Sequence, residues 1–391
     1  MTPAARLQAA IEILDQVIVS ARDDGPPADS IVTRYFKTRR YAGSKDRRAV
    51  RELVFATIRR SAERPVSGRA AVLGLAEGSP ELRELFGLER GPEPISEREA
   101  AAPAGWVPEW LKPELSPLVG ENEWPALLER APLDLRANVP RASRDELLGS
   151  FEGSRTTPIS PWGIRLPSDT RVDDHPAFSS GLVEVQDEGS QLIALACQPQ
   201  DGERILDLCA GAGGKALALA AAAPEAHILA TDSNRSRLAK LAPRAARAGA
   251  EIETRLINPP NELRDLDEWR VSADVVLIDA PCSGSGTWRR NPEGRWRLTP
   301  DRLNRVLALQ SRLLDIGAEL VRPGGRLVYA VCSILSREGA RQIDDFLIRH
   351  SSWQVQETAI AAGRADGAGQ LLTPGHDRTD GFFVARLKCP C

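Results

Sequence analysis

With 391 residues, a net charge of −3 and 42% hydrophobic residues, the chain is long enough for two or three folded domains. It lacks the overall positive charge of a protein that binds nucleic acid over its whole surface. No apolar run approaches the ~20 residues needed to cross a bilayer. The start, Met1-Thr2-Pro3-Ala4-Ala5-Arg6, has no signal-peptide pattern, so a cytoplasmic chain without a membrane partner is expected.

Residues 6–22 are predicted as a helix, because Leu7, Ala10, Ile11, Leu14, Val17 and Ile18 recur every three or four positions. Asp23-Asp24-Gly25-Pro26-Pro27 ends it. Two more helices are predicted near 28–37 and 45–60. Residues 28–70 carry twelve basic side chains against four acidic ones. Such a local excess fits phosphate contacts. Residues 71–130 continue as short helical patches between Pro- and Glu-rich turns. Residues 131–185 change texture: strand-like pieces at 133–139, 162–166 and 182–185, and a short helix at 145–148, suggest a small α+β unit.

From about 186 the period is α/β. Strands are predicted at 204–208, 227–231, 252–256, 274–278 and 326–331. Helices are predicted at 214–223, 234–248, 300–321 and 336–349, and residues 381–387 can add a last strand. This alternation predicts a mostly parallel sheet with helices on both faces. Residues 288–306 hold six arginines against two acids, a second candidate for phosphate contacts.

Cys282, in Asp279-Ala280-Pro281-Cys282-Ser283-Gly284-Ser285-Gly286, and Cys332, in Tyr329-Ala330-Val331-Cys332-Ser333, each follow a predicted parallel strand. Ligands of open α/β sheets bind at the carboxyl ends of the strands. The two thiols are therefore expected in one crevice, where a thiolate can add to an electron-poor ring. The first strand of the α/β region runs into Asp207-Leu208-Cys209-Ala210-Gly211-Ala212-Gly213-Gly214-Lys215 and then a helix. Small residues there let the backbone approach a ligand. Asp232 closes the next strand, where an acid holding ribose hydroxyls falls in nucleotide-type sites. The remaining cysteines are expected to be thiols. The terminal Cys389-x-Cys391 has no second pair or nearby histidine to complete a zinc site, so no metal is expected.

Together these motifs, with Val185-Gln186-Asp187-Glu188-Gly189-Ser190-Gln191 and Asp380-Gly381-Phe382-Phe383, resemble the RsmB-like (Fmu/Sun) RNA cytosine-5 methyltransferases. The resemblance covers roughly 131–391. It extends more weakly to 28–64, where Arg40-Tyr41-Ala42-Gly43-Ser44-Lys45-Asp46-Arg47-Arg48 is similar to the NusB-like extension of bacterial members. It implies a helical NusB-like RNA-binding region at 1–130, the α+β subdomain at 131–185, and a Rossmann-like class I methyltransferase domain at 186–391. It implies S-adenosyl-L-methionine as cofactor, bound by Cys209, Ala210, Gly211, Ala212, Gly213, Gly214, Lys215, Asp232, Asn258 and Asp279.

It also implies methyl transfer to C5 of a cytosine in rRNA or tRNA, by a monomer that does not act on DNA. Cys332 is the implied nucleophile toward C6, Asp279 the group beside N3 and the exocyclic amine, and Cys282 the residue that helps release the product. Lys215 completes the catalytic set. Ala212, Ala216 and Asn258 stand where the family usually has Pro, Thr and Asp, and Val331 where it usually has Thr. The other readings are a DNA cytosine-5 methyltransferase, which lacks a counterpart of Cys332, and a methyltransferase-like RNA-binding or assembly factor.

Overall fold

The computed structural model describes all 391 residues, which divide into two compact units. The first comprises Met1–Glu114, Glu121–Glu129 and Thr287–Pro300, and the second Leu115–Gly120, Arg130–Gly286 and Asp301–Cys391.

The first unit is helical. Its helices are α1 (Pro3–Arg22), α2 (Ala28–Lys37), α3 (Ser44–Arg60), α4 (Gly68–Glu77) and α5 (Pro80–Arg83). Thr2 caps α1 by accepting from the Ala5 N–H, and Pro3 occupies the first turn, where no N–H is needed. Leu7, Ile13, Leu14 and Val17 on α1 pack with Val50, Val54 and Ile58 on α3. Residues 84–108 are largely irregular, where the sequence suggested further helical patches.

The second unit begins its regular structure with β1 (Leu133–Ala137), α6 (Arg144–Leu147), β2 (Arg155–Thr156), β3 (Gly163–Leu166), α7 (Pro176–Ser179) and β4 (Val183–Val185). These four strands form an antiparallel sheet in the order β2-β3-β1-β4. Next come α8 (Glu188–Ala196), β5 (Arg204–Asp207), α9 (Gly214–Ala222), β6 (His227–Asp232), α10 (Arg235–Leu238), α11 (Leu241–Ala248), β7 (Glu253–Leu256), α12 (Glu262–Asp265) and β8 (Ala273–Asp279). Helix α13 (Gly294–Arg297) lies in the stretch that belongs to the first unit. The chain then continues through α14 (Pro300–Leu320), β9 (Val321–Val331), α15 (Ala340–Arg349), β10 (Gln354–Gln356), β11 (Arg364–Asp366), β12 (Gly369–Leu372), α16 (Pro374–Asp377) and β13 (Phe382–Lys388).

The large sheet has the order β11-β12-β13-β9-β8-β5-β6-β7, with β10 also paired to β13. Strands β5 to β9 are parallel to one another, and β13 pairs antiparallel with β9. This is the Rossmann-like architecture expected above, a mostly parallel sheet with an antiparallel edge. The core gathers Ile205, Ile228, Val275, Leu277 and Val328 from the strands with Leu217, Leu219 and Leu241 from the helices.

Four local differences have physical causes. The helix predicted over 234–248 is broken into α10 and α11, and Pro243 in the first turn of α11 cannot donate to the preceding turn. The helix predicted from 336 starts at Ala340, because Glu338 turns its side chain back toward Ser283 and Ser333. Strands β10 to β12 carry no clear alternation and escaped prediction. Finally, Arg295, assigned above to a phosphate-facing cluster, is buried with 2% exposure. It donates to the carbonyls of Pro292, Trp106, Ile58 and Arg59, so it braces the first unit from within and cannot meet a phosphate. Burial, followed by the neighbouring Arg59 charge, lowers its pKa to about 9.

Arg295→Lys is expected to destabilise the first unit. A single ammonium cannot span the Trp106 and Ile58 carbonyls, and each buried acceptor left unpaired costs about 1–3 kcal/mol. Urea titration followed by tryptophan fluorescence checks this, and an unshifted midpoint would contradict it.

Candidate active site

The parallel strands β5, β6, β8 and β9 bring four carboxyl ends to the same edge of the sheet. After Asp207 the chain stays tight against its neighbours: the Leu208 N–H donates to Leu277 O and the Ala210 N–H to Thr231 O, at 2.9 and 2.8 Å. Gly213, at φ 80°, turns the chain into α9 in a backbone conformation that side chains disfavour. A Cβ added there would also lie 2.2 Å from Leu241. Lys215 follows in the first turn.

Asp232, at the end of β6, is 6% exposed. One of its oxygens accepts from the Gly211 N–H at 2.8 Å and the other from the Asn234 N–H at 2.6 Å. The acid is thus aimed at the glycine turn by the turn itself. Asn258 lies in the loop after β7, is exposed, and directs its amide to Asp265 at 3.2 Å.

A 290 Å³ cavity opens beside this turn, lined by Gln186, Asp187, Ser190, Asp207, Ala210, Gly214, Lys215, Arg244 and Asp279, among others. Lys215 donates to Asp279 at 2.7 Å and to Ser190 Oγ at 3.4 Å. Burial works against the charge of Lys215, but Asp279, with smaller help from Cys332 and Asp207, outweighs it and holds the pKa above its ordinary value. Asp207 is 0% exposed, and the Cys209 N–H approaches it without completing a hydrogen bond of good geometry. Burial first, then the charge of Asp279, push its pKa up to about 7.

Beyond Asp279, the Ala280 N–H still donates to Ala330 O, so the loops after β8 and β9 leave the sheet together. The Gly286 N–H donates to Cys332 O at 3.0 Å, and the Gly381 N–H donates to Gly286 O at 2.8 Å. A Cβ on Gly286 would meet Gly381 O at 2.0 Å, which accounts for a glycine there. The result is a pair of thiols: Cys282 Sγ and Cys332 Sγ are 3.3 Å apart. The hydrogen bond to Cys332, burial, and the charges of Cys332 and Glu338 all hold the Cys282 thiol well above its ordinary pKa. At 3.3 Å either thiol can donate to the other, and these causes favour Cys282 as the one that keeps its proton. Cys209 is also held neutral, by burial and then by the charges of Asp207, Asp279 and Asp232.

Of the residues singled out in the sequence, Ala210, Gly214, Lys215 and Asp279 line the cavity, Asp232 is bonded to the Gly211 turn, and Cys282 meets Cys332. Gly211, Ala212 and Gly213 form the turn, Cys209 is its partly buried neighbour, and Asn258 is engaged with Asp265. The sequence reading passed over Asp207 as a site residue, although an acid closing the strand before a glycine turn was a usable signal. It also passed over Ser190, although that residue lies in one of the motifs quoted above, and Gln310 and Glu338, which nothing in the local pattern marked.

The profile of the family described as 16S rRNA methyltransferase RsmB/F matches residues 194–388. The ribosomal RNA small subunit methyltransferase B of Pectobacterium carotovorum subsp. carotovorum (strain PC1) is 34% identical over 339 residues, 81% of this chain and 77% of that one. The protein of the same name from Enterobacter sp. (strain 638) is 36% identical over 290 residues, 72% of this chain and 66% of that one. Among solved structures, the PH0851 protein superposes with a TM-score of 0.74 at 23% identity, covering 99% of both chains. The NSun6 protein from Pyrococcus horikoshii, solved with SFG, gives 0.63 at 19% identity, over 72% of this chain and 96% of that one. At these identities the two structures speak for the fold.

The position of Asp207 has a measurable consequence. Its proton is held in the folded chain up to about pH 7, against 3.8 for an ordinary Asp. The native state binds more protons than the unfolded state between these values, so this group lowers stability progressively as pH rises through that window, then no further. Asp207→Asn removes the cost. Its melting temperature is expected to exceed that of the native chain at pH 8, the advantage shrinking to nothing toward pH 4. A gap independent of pH would refute this.

Proposed function

The chain belongs to the 16S rRNA methyltransferase RsmB/F family, and from that membership we propose that it methylates C5 of a cytosine in ribosomal RNA through a covalent Cys332–C6 adduct. The observation that carries this reading is the thiol pair, 3.3 Å apart, beside the Lys215–Asp279 ion pair.

S-adenosylmethionine is the cofactor of this chain. The residues present fit it. Asp207 is a buried carboxylate without a hydrogen bond of good geometry, available to a cationic group. Lys215 spends two of its three N–H donors on Asp279 and Ser190, and the third can reach a carboxylate. Asp232, fixed by the glycine turn, offers remaining lone pairs to ribose hydroxyls. When bound, S-adenosylmethionine supplies an electrophilic methyl group on a sulfonium sulfur.

C5 of cytosine is a weak nucleophile. Addition of the Cys332 thiolate to C6 turns the ring into an enamine with electron density at C5. The negative charge that this addition sends to N3 is met by a proton that the Lys215 ammonium, 2.7 Å from Asp279, passes on through the Asp279 carboxylate. C5 then takes the methyl group. The C5 proton must pass to water, N3 must return its proton through Asp279 to Lys215, and the Cys332–C6 bond must break to restore the aromatic ring. Cys282, adjacent to the leaving sulfur, is the group placed to assist that release.

A stacked base cannot reach a strand-end pocket, so the target is single-stranded or flipped out. The helical unit supplies a candidate phosphate surface. Arg34, Lys37, Arg40, Lys45 and Arg48 are exposed on or beside α2 and α3. By contrast, Arg59, Arg60 and Arg69 are tied to backbone carbonyls of the same unit.

Two outcomes test this reading. Cys332→Ala should abolish both methylation and any adduct, whereas Cys282→Ala should accumulate an RNA complex that survives denaturing electrophoresis and requires Cys332. Normal turnover by Cys282→Ala, with no slow-migrating species, would return that residue to a packing role. Removing Arg40, Lys45 and Arg48 together should flatten the salt dependence of RNA binding, by ~0.7–0.9 in the log–log slope for each phosphate no longer neutralised. An unchanged slope would assign these side chains to solvent.

A further inference from the structure

We propose that Glu338 is a positioning residue that holds Cys282 and Cys332 in register with each other. The proposal rests on the two-thiol reading above and deepens it.

Glu338 is 0% exposed, and no lysine or arginine pairs with it. A buried, unpaired carboxylate is costly unless hydrogen bonds replace the lost water. Here four neutral donors do so. Oε1 accepts from the Ser283 N–H at 2.8 Å and from Gln310 Nε2 at 3.0 Å. Oε2 accepts from the hydroxyls of Ser283 and Ser333. The two serines directly follow the two cysteines. Gln310 also donates to Pro281 O at 2.9 Å, so Cys282 is gripped on both sides.

Glu338 is itself anchored through its backbone. Tyr329, three residues before Cys332, donates from its hydroxyl to Glu338 O at 2.8 Å. The carboxylate therefore spans two loops that the sheet delivers separately. Parallel pairing brings the ends of β8 and β9 alongside each other, but it does not fix side chains two and three residues beyond the last ladder pair. A carboxylate that reaches both can. Glu338 is too buried, and too fully engaged, to act on a base.

Its charge adds a second effect. A negative charge near a thiol opposes ionisation, and Glu338 contributes to the raised pKa of Cys282. The same group that fixes the geometry thus favours a protonated Cys282 beside Cys332.

The test uses the full chain. Glu338→Ala should lower kcat about 10–100-fold, the scale of a small misplacement of reacting groups. The KM for S-adenosylmethionine should be unchanged, because Glu338 lines no part of the cavity. Glu338→Gln keeps the shape and can still bond all four partners, so it should recover most of that loss. In a Cys332→Ser background, Glu338→Gln should move the midpoint of Cys282 alkylation by iodoacetamide to lower pH by about one unit, followed by peptide mass spectrometry.

A purely structural Glu338 would predict lower melting temperatures in both variants, unchanged kcat per folded molecule and an unmoved alkylation midpoint. That result overturns the proposal. The alkylation readout does not depend on the reaction. A shifted midpoint with no C5 methylation by the native chain would sink the proposed function and leave the positioning role standing.

Discussion

The register of the parallel strands is the constraint on which the site depends. Asp207 pairs with Leu277, Leu277 with Val328, and Asp279 with Ala330. One ladder therefore decides how far each carboxyl end projects. β8 continues two residues past the level of Asp207, which carries Asp279 over the cavity, and Cys332 lies two residues past Ala330. A slip of one residue in β8 would turn Asp279 to the other face of the sheet. Val275, Leu277 and Val328 pack one face, and Val276, Ile278 and Leu327 are buried on the other, so the polar residues at the strand end, Asp279 above all, distinguish this register from a slipped one. Packing of the core and chemistry at the edge are thus two consequences of the same pairing.

Around this edge the charges are unevenly matched. Asp207, Asp232 and Asp279 surround the glycine turn, and Lys215 is the cation bonded among them. Asp232 is compensated by two backbone N–H groups and by Arg237 at 3.9 Å, and Asp279 by Lys215. For Asp207, burial and then the charge of Asp279 outweigh the help of Lys215 and the Cys209 N–H, which is why its pKa rises. A buried acid that lacks a hydrogen bond of good geometry favours a ligand that brings positive charge, and S-adenosylmethionine carries two such groups.

Much of the fold was legible because it is periodic. Helices α1 to α3 and strands β5 to β9 follow from spacing, and the glycine turn follows from composition. The thiol pair was legible for a topological reason: two strand ends in one parallel sheet must meet the same crevice. What escaped was set by tertiary contacts. Glu338 sits where a helix was predicted, and an acid in a first helical turn looks like an ordinary partner for the helix dipole. Nothing local says that the helix starts at Ala340 or that the carboxylate turns inward. Gln310, on α14, is equally silent, because its partners lie 28 and 29 residues away in sequence.

The arginines make the same point from the other side. By composition, Arg295 and Arg48 belong to two similar basic clusters. In the structure one is among the most buried side chains, donating to several carbonyls, and the other is exposed. The distinction comes from what surrounds each. Arg48 lies on the polar face of α3, whose apolar positions Val50, Val54 and Ile58 are already directed to the core. Arg295 sits in a four-residue helix beside Trp296, whose indole N–H donates to Ser61 O at 2.9 Å. A short segment with little regular structure cannot satisfy its neighbours' carbonyls through a helix or a ladder. A planar guanidinium with five donors does so instead. Local charge density therefore locates a candidate nucleic-acid surface only after subtraction of the arginines that the fold uses for itself, and here the subtraction leaves the exposed set on α2 and α3 together with Arg305 of the second cluster.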